Sequence, residues 1–202
     1  MKRIFFTLAF ASVLLSCKTA STATNDSKSV ADIVKVAINL NDVKEDKVLV
    51  TITSPKISTD EVTYSIPKIV PGTYSVDDYG KYIEDFKAFD SKGSVLPVTK
   101  TDDNTWNIKN AKTLVKITYL VNDTFDTEKG GGFGQNDIFS PAGTNIDAGK
   151  NFMLNMHGFA GYFQDKKDLP YTVSISHPEM LWGATSMTDQ DASTTNDVFT
   201  AP

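Results

Sequence analysis

The sequence IPKIVPGTYS at residues 66–75 interrupts an apolar, strand-like run with two prolines and a glycine. Proline fixes φ and lacks an amide donor, so Pro67 and Pro71 each break the hydrogen-bond ladder that a central strand requires. Gly72 permits a sharp turn directly after the second proline. Residues 76–90 then lead into the next apolar segment. We call residues 66–75 the proline corner and predict a rigid corner between two layers of β-structure, with a direct ligand site as the alternative.

The segments on both sides of the proline corner alternate apolar and polar residues, which is typical of half-buried strands. One such run spans residues 34–40 and another spans 48–52, and the turn that we predict at 41–46 would join them as a hairpin. Apart from a candidate turn at 75–79, no segment has the apolar period of an amphipathic helix. The pattern predicts an all-β fold, a β-sandwich of short, mostly antiparallel strands. The clearest alternating run has its apolar residues at Val115, Ile117, Tyr119 and Val121.

The N-terminus has the features of a bacterial lipoprotein signal. Two basic residues precede an apolar run from Ile4 to Leu15, which is too short for a permanent membrane-spanning helix. The sequence Leu14-Leu15-Ser16-Cys17 matches the lipobox, in which the cysteine thiol accepts a diacylglycerol group, and the chain contains no other cysteine. We therefore predict a signal peptide at residues 1–16 and lipidation of Cys17. An ordinary signal peptide with an incidental cysteine is the alternative.

The predicted lipid anchor defines the organisation of the remaining chain. Residues 17–29 are rich in Ser, Thr, Ala and Asn, a composition that predicts a flexible tether. Residues 30–202 have a length suited to one domain, the predicted β-sandwich. Because Lys18 rather than aspartate follows the cysteine, we expect the protein in the outer membrane of the bacterial cell envelope, facing the periplasm or the surface.

The charge of the chain argues against a nucleic-acid partner. The net charge is -5, and the only arginine is Arg3, inside the predicted signal peptide. The folded part therefore has no guanidinium group for phosphate recognition. We expect membrane association through the lipid anchor and no nucleic-acid binding.

Four sequence features in a fixed order give the chain a family resemblance. The proline corner is followed by an aromatic-rich segment up to Phe89, then by Leu96-Pro97-Val98 and by Asn104-Thr105-Trp106. This ordered set resembles the N-terminal domain of the glycyl aminopeptidase family, which are zinc metallopeptidases with a PDZ domain near the C-terminus. The resemblance covers residues 34–202. It implies a curved β-sandwich that packs beside a catalytic domain in the same polypeptide, where it braces that domain and the substrate cleft.

A glycine-rich segment at residues 130–136 is a candidate for ligand contact. It lacks the lysine and the serine or threonine that complete a phosphate-binding loop, so a flexible loop is the alternative. The family resemblance implies that the segment borders the substrate cleft, and glycine permits close approach of the backbone to a ligand. On that basis Gly132, Phe133 and Asn136 are the substrate-cleft candidates.

We predict no catalytic or metal-binding residue in this chain. The two histidines, His157 and His177, do not form the His-Glu-x-x-His motif of a zinc peptidase, and we expect both to be structural. The Gly-x-Ser-x-Gly motif of a serine nucleophile is also missing from the sequence. We therefore expect no cofactor in this chain, and the resemblance implies zinc in a catalytic domain outside it.

The sequence thus predicts a lipid-anchored, non-catalytic N-terminal domain of a glycyl-aminopeptidase-like zinc metallopeptidase, as a fragment of a longer product. A second hypothesis is a stand-alone lipoprotein that binds a glycan or a protein partner through exposed aromatic residues. A third is an independent hydrolase, which would require turnover by the 202-residue chain itself. The aromatic candidates for the second hypothesis are Tyr74, Tyr79, Tyr82, Trp106 and Trp182.

Overall fold

The structure is a computed structural model, and it describes residues 33–125, 138 and 142–201. Twelve strands occur within these residues, with the short helix α1 (Met156–Phe159) and 3₁₀ turns at Tyr79–Tyr82, Ala111–Thr113 and Gln164–Lys166. The predicted all-β class is confirmed. The strands are β1 (Val34–Lys44), β2 (Lys47–Thr53), β3 (Glu61–Ser65), β4 (Ile83–Asp90), β5 (Val98–Asp102), β6 (Thr105–Lys109), β7 (Leu114–Asn122), β8 (Asn145–Asp147), β9 (Asn151–Met153), β10 (Tyr162–Phe163), β11 (Tyr171–Ser176) and β12 (Asn196–Ala201).

Two sheets form the layers of the predicted sandwich. The larger sheet has the strand order β12-β11-β1-β2-β7-β4, and the smaller has the order β10-β3-β6-β5. Strands β8 and β9 form a separate pair. The pairing is mostly antiparallel, as predicted, and the exception is β1 with β11, which run parallel from Val34 opposite Tyr171 to Asn39 opposite Ser176.

Aromatic side chains join the two sheets in the core. Tyr64 of β3 lies 6.2 Å from Tyr119 of β7, measured between ring centroids. Phe86 of β4 stacks on Trp106 of β6 at 4.7 Å. Because these pairs connect one sheet to the other, their burial fixes the separation of the layers. The aliphatic part of the core comes from alternate strand positions, including Val36, Ile38, Val48, Val50, Ile52, Val62, Ile108 and Ile117.

The predicted hairpin of β1 and β2 is confirmed, but its turn is shorter than predicted. Strand β1 continues to Lys44, and only Glu45 and Asp46 form the turn. Both turn residues have positive φ, 51° and 54°. This is the backbone requirement of a two-residue type I′ hairpin turn, whose twist matches that of the flanking strands.

The strand predicted from Val115, Ile117, Tyr119 and Val121 is confirmed as β7, but a bulge breaks the alternation of buried residues at Val115. In the pairing of β4 with β7, Phe89 lies opposite Lys116 and Asp90 lies opposite Leu114, so Val115 is the extra residue of a β-bulge. The bulge directs Leu114 into the core and leaves Val115 40% exposed. The other three residues of the predicted alternation, Ile117, Tyr119 and Val121, are buried.

Candidate functional site

The proline corner begins a loop that is closed by its own backbone. The amides of Asp77 and Asp78 both donate to the carbonyl of Lys68, at 2.8 and 3.0 Å. Within the loop, the Thr73 hydroxyl donates to the carbonyl of Val70 at 2.9 Å. Residues 68–78 therefore form one closed unit, the corner loop, between β3 and the 3₁₀ turn before β4. The predicted corner is confirmed.

Asn104, in the turn between β5 and β6, holds the base of the corner loop. Its side-chain oxygen accepts a hydrogen bond from the Gly80 amide at 2.9 Å, and its side-chain nitrogen donates to Asp78 at 2.8 Å. Its carbonyl accepts from the Ile66 amide at 2.8 Å. Asn104 is 1% exposed. A buried residue with three hydrogen-bond partners holds those partners in fixed relative positions. Sequence reasoning named Asn104 only as part of a family motif and missed this role.

A buried polar cluster lies beside the corner loop. The Ser75 hydroxyl donates to Asp77 at 2.7 Å, and Asp77 is 3% exposed. The Tyr79 hydroxyl donates to the carbonyl of Ala142 at 2.8 Å, and Asn155 donates to the same carbonyl at 2.6 Å. Burial raises the pKa of Tyr79, so its hydroxyl stays protonated as a donor. The cluster links the corner loop to the segment that begins at Ala142.

Three apolar side chains of the corner loop point into solvent. Tyr74 is 101% exposed, Val76 is 63% exposed and Ile69 is 48% exposed. Tyr74 also has a φ of 57°, a left-handed backbone conformation that residues other than glycine rarely adopt. We call Ile69, Tyr74 and Val76 the corner patch. The corner loop thus combines a buried polar base with an apolar tip.

The residues predicted for the substrate cleft and for lipidation lie outside the described residues. This applies to Gly132, Phe133 and Asn136, and to Cys17 with its signal peptide. These assignments remain predictions. Among the residues that are described, no helix is long and apolar enough to cross a membrane.

Both histidines have partners within the protein. The His157 ring lies 3.2 Å from the side-chain oxygen of Asn155, and burial lowers the pKa of His157. His177 is 4% exposed, with Nδ1 3.0 Å from the carbonyl of Pro178 and Nε2 3.3 Å from Asp197. The structural roles of the two histidines remain a prediction. Across 33–125, 138 and 142–201, no group of three His, Cys, Asp or Glu residues is arranged to hold a metal ion.

Most of the aromatic residues considered for glycan binding belong to the core. Tyr79 and Tyr82 are 2% exposed and Trp106 is 3% exposed, so the prediction of an exposed platform is wrong for these three. Only Tyr74 and Trp182, which are 101% and 80% exposed, are available to a ligand among the five candidates.

The fold and the corner loop define a β-sandwich module with one clamped, apolar-tipped loop. A family model described as the Peptidase M61 N-terminal domain matches residues 35–202. The chain therefore belongs to this family of peptidase N-terminal domains, which confirms the resemblance drawn from the motifs. A sequence search of curated proteins found no significant match.

One solved structure supports the fold assignment. An aminopeptidase N family protein from Idiomarina loihiensis is similar, with a TM-score of 0.67 and 21% identity. The match covers 83% of this chain and 27% of that chain. An M1 zinc metallopeptidase from Deinococcus radiodurans matches with a TM-score of 0.35 and 12% identity, covering 83% of this chain and 37% of that chain. The present chain thus spans about a quarter of the first relative.

Proposed function

We propose that the chain is the non-catalytic N-terminal domain of a longer zinc metallopeptidase, where it braces the catalytic domain beside the substrate cleft. The observation that carries this proposal is the match of the peptidase N-terminal family model to residues 35–202. The 27% coverage of the Idiomarina protein supports it, because a domain of this size is a minor part of that relative. Zinc, which activates a water for peptide hydrolysis, would be held by the catalytic domain.

The corner loop has the rigidity that a bracing role requires. A bracing domain must keep its shape under load, and here the buried Asn104 side chain bonds the buried Gly80 amide and the partly buried Asp78 side chain. We further propose that the glycine-rich segment with Gly132, Phe133 and Asn136 borders the substrate cleft of the complete enzyme.

The proposed function is tested by recovering the native protein from detergent-solubilised membranes with an antibody to residues 33–201. The recovered protein should hydrolyse a glycyl peptide, and a zinc chelator should abolish the turnover. The purified 202-residue chain should show no turnover. Turnover by the short chain would overturn the non-catalytic assignment, and an inactive native protein would overturn membership in a working peptidase.

We also propose that Cys17 carries a lipid that holds the protein on the outer membrane. Stable anchoring needs more than one acyl chain, because each buried CH₂ contributes only about 0.8 kcal/mol. Cells grown with a fatty-acid label should transfer it to the native protein and to a Ser21→Ala control, but not to Cys17→Ser. Label retained on Cys17→Ser would contradict the assignment.

A stand-alone binding lipoprotein is the second candidate function, and the exposure of Trp182 favours it. An indole that is 80% exposed is able to stack on a sugar ring. Binding on a glycan array that Trp182→Ala abolishes, with the unfolding midpoint unchanged, would support this candidate. An array without binding would leave the peptidase domain as the proposed function.

A further inference from the structure

We propose that the corner patch is the surface through which this domain docks onto an apolar recess of the catalytic domain in the same polypeptide. This inference rests on the proposed function and names the contact through which the bracing occurs. The patch consists of Ile69, Tyr74 and Val76, three exposed side chains that all belong to the closed corner loop. Apolar groups concentrated on one exposed loop are typical of an interaction surface.

The backbone of the corner loop is arranged before any partner binds. Tyr74 and Asp78 have φ values of 57° and 52°, and such left-handed conformations persist only where the surrounding structure enforces them. Here the Lys68 carbonyl closes the loop, and Asn104 clamps its base. A loop that is already ordered loses little entropy on docking. The left-handed backbone conformation at Tyr74 therefore holds a fully exposed aromatic side chain at the surface.

The chemistry of the corner patch indicates the chemistry of its partner. Tyr74 offers a flat apolar ring with a hydroxyl at its end, and Ile69 and Val76 add two exposed aliphatic side chains on the same loop. The carboxylate of Asp77 is buried, and Ser75 donates a hydrogen bond to it. Asp77 therefore adds no exposed negative charge to the corner patch. The matching recess should be apolar, with a hydrogen-bond acceptor at its floor for the tyrosine hydroxyl.

The small area of the corner patch favours a partner in the same chain. A fully exposed tyrosine presents roughly 200 Å², and the partly exposed Ile69 and Val76 add about as much again at most. A stable complex of separate proteins buries about 800 Å² on each partner. A covalent connection raises the effective concentration of the second domain, so a patch of this size is sufficient for a domain in cis. The same comparison argues against a second copy of this chain.

Site-specific photo-crosslinking in the native protein tests the inference. A photoreactive benzophenone side chain replaces Tyr74 in one strain and Trp182, which is also exposed, in the control strain. After irradiation of intact membranes, mass spectrometry should find position 74 joined to peptides of the same polypeptide beyond residue 202, and position 182 joined to such peptides much less often. Crosslinks from position 74 to another copy, to other proteins or to lipid would overturn the inference.

The unirradiated sample separates failure of this inference from failure of the proposed function. A native band near 22.1 kDa would overturn both, because no catalytic domain would then be attached. A heavier band without intramolecular crosslinks from position 74 would overturn the inference alone. As a second measurement, Tyr74→Ser should raise the rate of proteolysis between the domains by about tenfold, which corresponds to 1.4 kcal/mol. Trp182→Ser should leave that rate unchanged, and equal rates in both variants would contradict the docking role.

Discussion

Gly80 occupies a position where no side chain fits. A Cβ there would lie 2.2 Å from the Asp103 carbonyl oxygen and 2.6 Å from the Asn104 Cα, and neither backbone atom is able to rotate away. We expect Gly80→Ala to lower the free energy of unfolding by about 3 kcal/mol. Gly158→Ala is the matched control, because its Cβ would meet Tyr79 at 3.4 Å, an ordinary contact. Urea denaturation measures both changes, and equal losses would contradict the packing described at Gly80.

His157 should make the stability of the domain depend on pH. Burial lowers its pKa below the usual value of 6.5, so near that pH the unfolded chain binds more protons than the folded one. Stability then rises with pH up to about 6.5 and falls as the pH decreases below it. His157→Gln should reduce this acid-side loss. An NMR titration of the ring in the wild-type protein should give a pKa below 6.5, and a higher value would contradict the prediction.

At the scale of elements, the corner loop should loosen when its clamp is removed. Asn104→Ala leaves the Gly80 amide without its acceptor. Each buried group left unsatisfied lowers the free energy of unfolding by roughly 1–3 kcal/mol. Hydrogen exchange at the amides of Asp77 and Asp78 should become faster. The control is Asn107→Ala on the neighbouring β6, whose side chain donates to Glu61 at 3.5 Å in an exposed position. If both variants exchange at the wild-type rate, Asn104 is not the clamp.

The strands could be predicted from the sequence wherever local pattern decides the structure. The alternation at residues 34–40 and 48–52 identified β1 and β2, because each strand buries one face. The bulge at Val115 could not be predicted in this way, since it depends on the register of β4 against β7. The parallel pairing of β1 with β11 is also invisible to local pattern, because the two strands are far apart in the sequence.

At the scale of the whole molecule, the candidate site was only partly predictable. The proline corner is visible in the sequence because proline and glycine constrain the backbone directly. The exposure of Tyr74 and the burial of Trp106 are not visible in the sequence, since both depend on which surfaces the two sheets cover. The role of Asn104 depends on a contact between segments that are distant in the chain. Composition alone does not distinguish a core aromatic residue from a surface one.

The central claim is that this domain belongs to a larger peptidase, and the mass of the native product tests it most directly. An immunoblot of the native membrane fraction, made with an antibody to the described domain, gives that mass. We predict a band far heavier than the 22.1 kDa of the present chain, with a zinc-binding motif in the additional sequence. A single band near 22.1 kDa would contradict the claim and favour a stand-alone binding lipoprotein.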